Sequence, residues 1–574
     1  MKYISKIVPG LIVLLYFPVQ AQNNKELEGE EITVEASFKP EIPKVMKIRV
    51  QPEFPKEEMK KPDFQYQLEP VTMNSEVVLK PIVAARVKKE SNRKHFPGNY
   101  LKAGLGTYLN PLIEFSAASK QSKEWALGLF LKHKSMWGKM DNYAYPGYNN
   151  NAANVYIKRF FDRNAIEFKP YYTRNDFHYY GIWDADTTIA KEFTPASSIS
   201  MMGGDIRFYS HIKDDDMLYK DIRLHYNFLS SFSDFYEDDI QEHSIVLNAH
   251  LYKNVLWFKN TDIQRIGGRI VTDFVQRYSS LMGLVKIMPR YEFGMGIYNF
   301  QAGFNLDVAK RAYTKMDFFP FIRLEVNVLP DYLKIYLKID GDEEHLSYQN
   351  ILSQNFFSAN VPSFFETDKT SDLMVTKSRF IKEAGIKGSI AKSLDFDLSF
   401  MNANVEDMLF FSPQYLKWGS ETQNYLNVAY TPVFDTVNYS RLALDMNYHQ
   451  SGKMDVLFHF QYDNYSTSHL DFAILKPDFS SYLSLYYTIN EQIKVKSTVL
   501  YMNARKYYSF STENTGNLIE TTPVIDINIG GEYTINKQFS AFLELNNLLN
   551  RYNYLLACYP AMRFNAMAGV KFRF

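Results

Sequence analysis

The sequence predicts an all-β chain: a transmembrane antiparallel β-barrel of about 22 strands over residues 99–574, with an extended Pro-rich N-terminal arm in front of it. Three observations predict it. A period-two alternation of apolar and polar residues recurs from Asn99 to the end. The chain ends on an aromatic, Phe574, that belongs to the apolar face of its last strand. Phe and Tyr, at 44 and 42 of 574 residues, are abundant enough for the aromatic girdles that barrels place at both membrane interfaces.

Residues 1–21 read as a secretory signal peptide. Lys2 and Lys6 supply a basic start, residues 7–17 a short apolar run broken by Pro9 and Gly10, and Val19-Gln20-Ala21 a small-residue cleavage site. That run is shorter than the roughly 20 residues of a spanning helix, and no later segment reaches that length without charges. A helical membrane bundle is therefore not expected. Cys558 is the single cysteine, so neither an intrachain disulfide nor a lipidated cysteine after the leader is available. The expected address is the outer membrane of a Gram-negative cell.

Residues 22–98 differ in character from residues 99–574. Pro40, Pro43, Pro52, Pro55, Pro62, Pro70, Pro81 and Pro97 break any long helix or central strand, and the clusters Lys56-Glu57-Glu58 and Lys88-Lys89-Glu90 leave too little apolar surface for a core. This stretch is expected to be an arm in the periplasm.

Alternation then sets the strands. Trp125, Leu127, Leu129 and Leu131 share one face, as do Leu333, Ile335, Leu337 and Ile339, and Leu394, Phe396, Leu398 and Phe400. In the last strand Val570, Phe572 and Phe574 alternate with Lys571 and Arg573, a pattern suited to a closing strand with one lipid-facing side. Tight turns are expected near Asp162-Arg163-Asn164, Leu329-Pro330, Ser393, Ser451-Gly452-Lys453, Asn490-Glu491 and Asn536-Lys537. Longer connections are expected at 136–150, 177–195, 341–379, 411–436, 466–478, 505–520 and 549–562. An even number of strands returns both ends of the barrel to the periplasm, with 253–265 and 279–297 ambiguous.

No catalytic signature is present: there is no His-Glu-x-x-His, no phosphate-binding Gly-rich loop, no Gly-x-Ser-x-Gly and no cysteine pair. His459, flanked at period two by Asp455 and Asp463, reads as a lumen-lining polar residue. Asp340-Gly341-Asp342-Glu343-Glu344-His345 and Asp214-Asp215-Asp216 lack calcium-loop spacing and read as solvated charge. Aromatics in the long connections, Phe356, Phe357, Phe364, Phe365, Phe410, Phe411, Tyr415 and Trp418, either contact a ligand or partner or pack the loops on one another. A net charge of zero argues against a nucleic-acid partner.

Phe542-Leu543-Glu544-Leu545-Asn546-Asn547-Leu548-Leu549-Asn550-Arg551-Tyr552 resembles the penultimate strand and loop start of TonB-dependent receptor barrels. Tyr559-Pro560-Ala561-Met562-Arg563 into the last strand resembles the ending of that family, and Glu383-Ala384-Gly385-Ile386-Lys387-Gly388 its Glu-x-Gly strand entry. Glu31-Ile32-Thr33-Val34-Glu35-Ala36 is similar to a TonB box, which in that family adds as a strand to the energy-transducing protein TonB. The departure is the plug: residues 37–98 carry no recognisable plug motif, so something else must fill or narrow the lumen.

The resemblance implies a non-enzymatic outer-membrane barrel acting in transport or as the membrane component of a complex. The alternative is a non-transporting scaffold that recruits partner proteins. Expected partners are outer-membrane lipids, TonB, and other outer-membrane or periplasmic proteins; no cofactor or metal is expected.

Overall fold

The computed structural model describes residues 98–119, 122, 124–182, 194–211, 217–234, 239–259, 261–277, 280–310, 314–330, 332–358, 375–391, 393–417, 424–508 and 518–574. The expected signal peptide, the TonB-box-like segment and Asp214 to Asp216 lie outside these residues. Among the described residues no helix is long and apolar enough to cross a membrane.

The wall is one 22-stranded antiparallel sheet. It begins with two short strands, β1 (Tyr100–Gly106) and β2 (Asn110–Ala118), joined by a turn in which Tyr108 and Leu109 take positive φ. Ten strands of 12 to 16 residues come next: β3 (Trp125–Met136), β4 (Tyr148–Phe160), β5 (Asn164–His178), β6 (Ala196–Ser210), β7 (Tyr219–Ser233), β8 (Ile240–Asn254), β9 (Ile263–Arg277), β10 (Ser280–Met295), β11 (Tyr298–Lys310) and β12 (Thr314–Leu329). The wall continues through β13 (Leu333–His345), β14 (Val375–Ile390), β15 (Leu394–Lys417), β16 (Asn424–Gln450), β17 (Met454–Thr467), β18 (Phe479–Thr488) and β19 (Ile493–Met502). One connection then carries a small ladder, β20 (Lys506–Tyr508) with β21 (Leu518–Glu520), before β22 (Val524–Thr534) and β23 (Phe539–Asn546) rejoin the wall. The last connection carries β24 (Tyr554–Leu556) and β25 (Tyr559–Pro560), and β26 (Asn565–Arg573) ends the barrel.

Closure is antiparallel. β26 pairs with β1 from Arg573 opposite Tyr100 to Met567 opposite Gly106. Phe542 of β23 lies across this seam: a Cβ added at Gly104 or Gly569 would stand 2.7 or 2.5 Å from its ring. The missing side chains are what let the ring lie flat on the wall. Over the same ring stands the Lys102 ammonium, 4.1 Å from the centroid, and it reaches Glu544 at 3.2 Å.

The two faces of the wall follow the alternation. Leu101, Leu105, Ile335, Leu337, Leu398, Phe400 and Val570 are exposed on the outer face, an apolar band that only a lipid environment accommodates. Inside, side chains of opposite charge meet across and along strands: Glu167 with Lys158 of β4 at 3.1 Å and with Lys169 of its own strand at 3.0 Å, Asp221 with Arg207 at 2.7 Å, and Asp463 with Arg441 at 3.0 Å, where the Tyr439 hydroxyl also donates to Asp463 at 2.6 Å. His459 contributes in the same way, between Asp445 at 2.7 Å and Gln461 at 3.3 Å, which is the lining role its spacing implied.

The long connections gather at the rim opposite the barrel ends, although that rim also holds the short links between β1 and β2, β9 and β10, and β11 and β12. The ambiguous stretches resolve into a turn over 255–262 and the strand β10. Two expected loops are corrected. Residues 411–436 are not a long connection: β15 and β16 run on as a hairpin, with Phe411 opposite Pro432 and Pro413 opposite Tyr430. Above Glu406 β15 has no partner in β14, and below Val437 β16 has none in β17, so each proline sits where no neighbouring wall strand needs an N–H from it. The loop expected at 341–379 shrinks to 346–374, because the acidic run stays in strand. Glu343 pairs across to Lys377, which also reaches Asp317 at 2.5 Å, and Lys286 holds Asp342 at 2.5 Å. These carboxylates are neutralised by neighbours on the wall, and Glu343 is buried rather than solvated.

Candidate functional site: the bridged mouth of the barrel

After His345 the chain turns into the lumen and forms the helix α1 (Tyr348–Gln354). Ser347 caps it, accepting from the Asn350 N–H at 3.1 Å, while the Asn350 amide donates to the His345 carbonyl at 2.7 Å. The first-turn N–H groups of Tyr348 and Gln349 donate to the Glu242 carboxylate at 2.8 and 3.1 Å. Glu242 stands on β8 directly opposite Arg277 of β9, with their side chains 2.6 Å apart and Glu242 1% exposed. A carboxylate this deep is stable only where every oxygen is engaged, and a guanidinium plus two helix-end N–H groups engage it. A second anchor is Asn227 of β7, which donates to the Gln349 side chain at 2.9 Å and accepts from the Tyr171 hydroxyl at 2.8 Å.

Beyond α1, four segments distant in sequence meet. Phe357 stacks on Tyr559 with centroids 3.7 Å apart. The Tyr559 hydroxyl donates to the Val428 carbonyl, the Tyr430 hydroxyl to the Ala557 carbonyl, and the Tyr430 N–H to the Phe357 carbonyl at 3.1 Å. Gly181 belongs here by necessity, since a Cβ would fall 2.5 Å from the Tyr559 ring. These contacts extend one buried apolar cluster from Ile199, Leu229 and Ile240 on β6 to β8 across to Ala403, Val405, Val437 and Tyr439 on β15 and β16. In a 22-strand wall those strands stand well apart around the ring, with β9 to β14 between them, so the cluster spans the mouth from one part of the wall to another.

The last loop is tied down by polar contacts as well. Arg505 donates to the Leu555 and Tyr554 carbonyls, and Tyr143 and Tyr554 join hydroxyls at 2.6 Å. Burial pushes the Cys558 thiol up to about 12, and burial lowers Arg505. No group of His, Cys, Asp and Glu among the described residues could hold a metal ion.

Between α1 and the inner wall of β3 to β7 lies a cavity of about 540 Å³, bounded also by Ala561 and Met562 of the last loop. Of the aromatics singled out from sequence, Phe356 lines this cavity and Phe357 lies in the bridging cluster at 4% exposure. Phe410 and Phe411 are buried in the same cluster. The backbone of Tyr415 pairs with Val428 on the projecting hairpin, whereas Phe364, Phe365 and Trp418 lie outside the described residues. Sequence reasoning missed Glu242, Arg277, Tyr430 and Tyr559. Nothing in a single sequence marks the helix that meets the first two.

No family model and no curated protein sequence matches this chain. Solved structures do. The chain is similar to the ferric-catecholate import receptor Fiu from E. coli K12, with a TM-score of 0.60 and 9% identity over 83% of this chain and 82% of that one. It is similar to the pyoverdine outer membrane receptor FpvA from Pseudomonas aeruginosa PAO1, with a TM-score of 0.62 and 10% identity over 83% and 78%. The copper transporter OprC gives a TM-score of 0.58 and 12% identity over 83% and 80%. At such identities the likeness is one of fold: the chain shares its barrel architecture with these receptors and this transporter.

Proposed function

We propose that this chain is an outer-membrane barrel of the TonB-dependent-receptor type that serves transport across the outer membrane and takes its ligand from outside at the bridged mouth. The long-loop rim is then extracellular and the rim with the barrel ends periplasmic. Residues 22–98 act as a periplasmic arm, with Glu31, Ile32, Thr33, Val34, Glu35 and Ala36 as the TonB box. The observation that carries this reading is the segment 346–358. It closes on the wall through contacts to the Glu242 and Asn227 side chains and a single backbone bridge between Ser358 and Tyr430, not through a continuous strand ladder, and it forms one side of a cavity. A segment held in that way can leave its seat while the barrel stays intact.

Crosslinking to TonB tests it, with cysteines at Thr33 or Glu35. A TonB box adds to its partner through main-chain hydrogen bonds, so Val34→Pro should abolish crosslinks by removing an N–H and fixing φ, while Val34→Thr should preserve them. The second reading is a non-transporting scaffold whose loops and arm recruit other envelope proteins, and the apolar bridge favours it, because a mouth packed shut suits a barrel that passes nothing. Absent crosslinks, together with an unchanged phenotype in Val34→Pro, would decide for the scaffold.

A further inference from the structure

One recess on the wall is lined by charge, and the cavity under α1 differs from it. On the wall near the closure seam Lys102, Glu114, Lys496, Glu532, Glu544 and Lys571 line a single recess. The α1 cavity is lined by Met136, Met201, Phe177, Leu229, Leu352 and Phe356, among others, and among the described residues no Lys, Arg, Asp or Glu contributes to it. Its polar edge includes carboxamides and an imidazole. Asn150 of β4 and Asn175 of β5 are direct cross-strand neighbours, and neither carboxamide has a hydrogen-bond partner among the described side chains. His178 donates from Nδ1 to the Gly147 carbonyl at 2.7 Å, which fixes the ring and leaves Nε2 for another partner.

We propose that this cavity binds an uncharged, predominantly apolar small molecule carrying an amide, carbonyl or hydroxyl edge; the proposal rests on the transport reading for its purpose and on the lining for its chemistry. A charged ligand entering here would shed its hydration with no counter-charge to replace it. An apolar body instead meets thioethers and rings, and the paired carboxamides of Asn150 and Asn175 offer donors and acceptors side by side to its polar edge. The volume, about 540 Å³, lies within the roughly 300–1,000 Å³ of small-molecule sites. Methionine side chains adapt to differing shapes, so a chemical class is recognised rather than one compound. Because α1 forms one wall, an occupant touches both the barrel and the segment that closes it.

The test uses the full chain in lipid nanodiscs and two probes with the same rings. N-phenyl-1-naphthylamine is uncharged; 8-anilino-1-naphthalenesulfonate carries a fixed negative charge. The uncharged probe should show a saturable one-to-one fluorescence increase above that of empty nanodiscs, and the sulfonate none. Ser353→Trp, at an exposed position of α1 that borders the cavity, should weaken uncharged-probe binding about tenfold or more by filling the space. Asn175→Asp, which changes charge and not shape, should weaken it too. Unchanged heat-modifiability of both variants would show that the barrel is intact. Equal binding of the sulfonate, no saturable component, or wild-type binding by Ser353→Trp would overturn the proposal. Probe binding needs no TonB, so a pocket that binds while Thr33 and Glu35 fail to crosslink would leave this assignment standing and remove the transport reading.

Discussion

The rings of Tyr559 and Phe357 stack 3.7 Å apart, and by that contact the last loop before the closing strand is joined to the segment folded into the lumen. Among the described residues the inward segment meets a wall strand only at the single backbone pairing of Ser358 with Tyr430, so side-chain packing carries most of the hold. The bridge is a small hydrophobic core built outside the membrane-spanning wall, and its stability can be tested apart from that of the wall.

Tyr559→Ala should loosen the bridge. Removing a buried aromatic of this kind costs about 3–5 kcal/mol, and here the loss falls on loops rather than on strands. On intact cells the loops should become sensitive to added protease while the detergent-purified barrel keeps its heat-modifiability. Tyr559→Phe, which gives up only the hydroxyl bond to Val428, should cost about 1 kcal/mol and leave protease resistance near wild type.

Glu242→Ala should release α1. Breaking a buried ion pair costs about 3–5 kcal/mol, and the first-turn N–H groups lose their acceptor as well. In a chain whose Cys558 has been replaced by serine, Leu352→Cys should resist maleimide, since Leu352 is buried, and should label readily once Glu242→Ala is added. Equal labelling in both backgrounds would show that Glu242 does not hold the segment.

Gly569→Val should block closure. The added side chain meets the Phe542 ring and the Ala103 carbonyl, and the latter is backbone that has nowhere to go. Outer-membrane levels of folded protein should fall sharply, and removal of the last three residues, Phe572 to Phe574, should do the same. Normal levels of either variant would contradict the seam described here.

Cys558 should be a slow thiol. With its folded value raised from 9.0 to about 12 by burial, the thiolate is scarce near neutral pH and maleimide labelling should be slow until the protein is unfolded. A thiol that holds its proton more tightly when folded contributes nothing adverse below about pH 9, and stability falls as pH rises from there toward 12. Cys558→Ser should flatten that part of the profile, as read by melting of the loop region.

Much of the wall was legible from sequence. Tight turns such as Ser451-Gly452-Lys453 and Asn490-Glu491 and the alternation of Leu333 to Ile339 are local signals, and the strands they imply are present. The projecting hairpin was not legible, because Pro413 and Pro432 look like breakers until it is known that no neighbouring wall strand needs an N–H from them. Likewise Asp340 to His345 reads as a polar loop in one dimension; only the pairing of Glu343 with Lys377, and of Lys286 with Asp342, reveals a strand. Less of the site was readable. Phe356 and Phe357 stood out as loop aromatics, but the partners that give them meaning, Tyr559 and Phe177, lie more than a hundred residues away, and no periodicity links them.

Conductance is the most direct test of a mouth closed by its own loops. Purified full-length protein in planar bilayers should pass little current despite its 22 strands, and deletion of residues 346–358, or Tyr559→Ala combined with Glu242→Ala, should open a large, stable pore. A wide-open wild-type channel, or a closed one that neither variant opens, would contradict the closure described here.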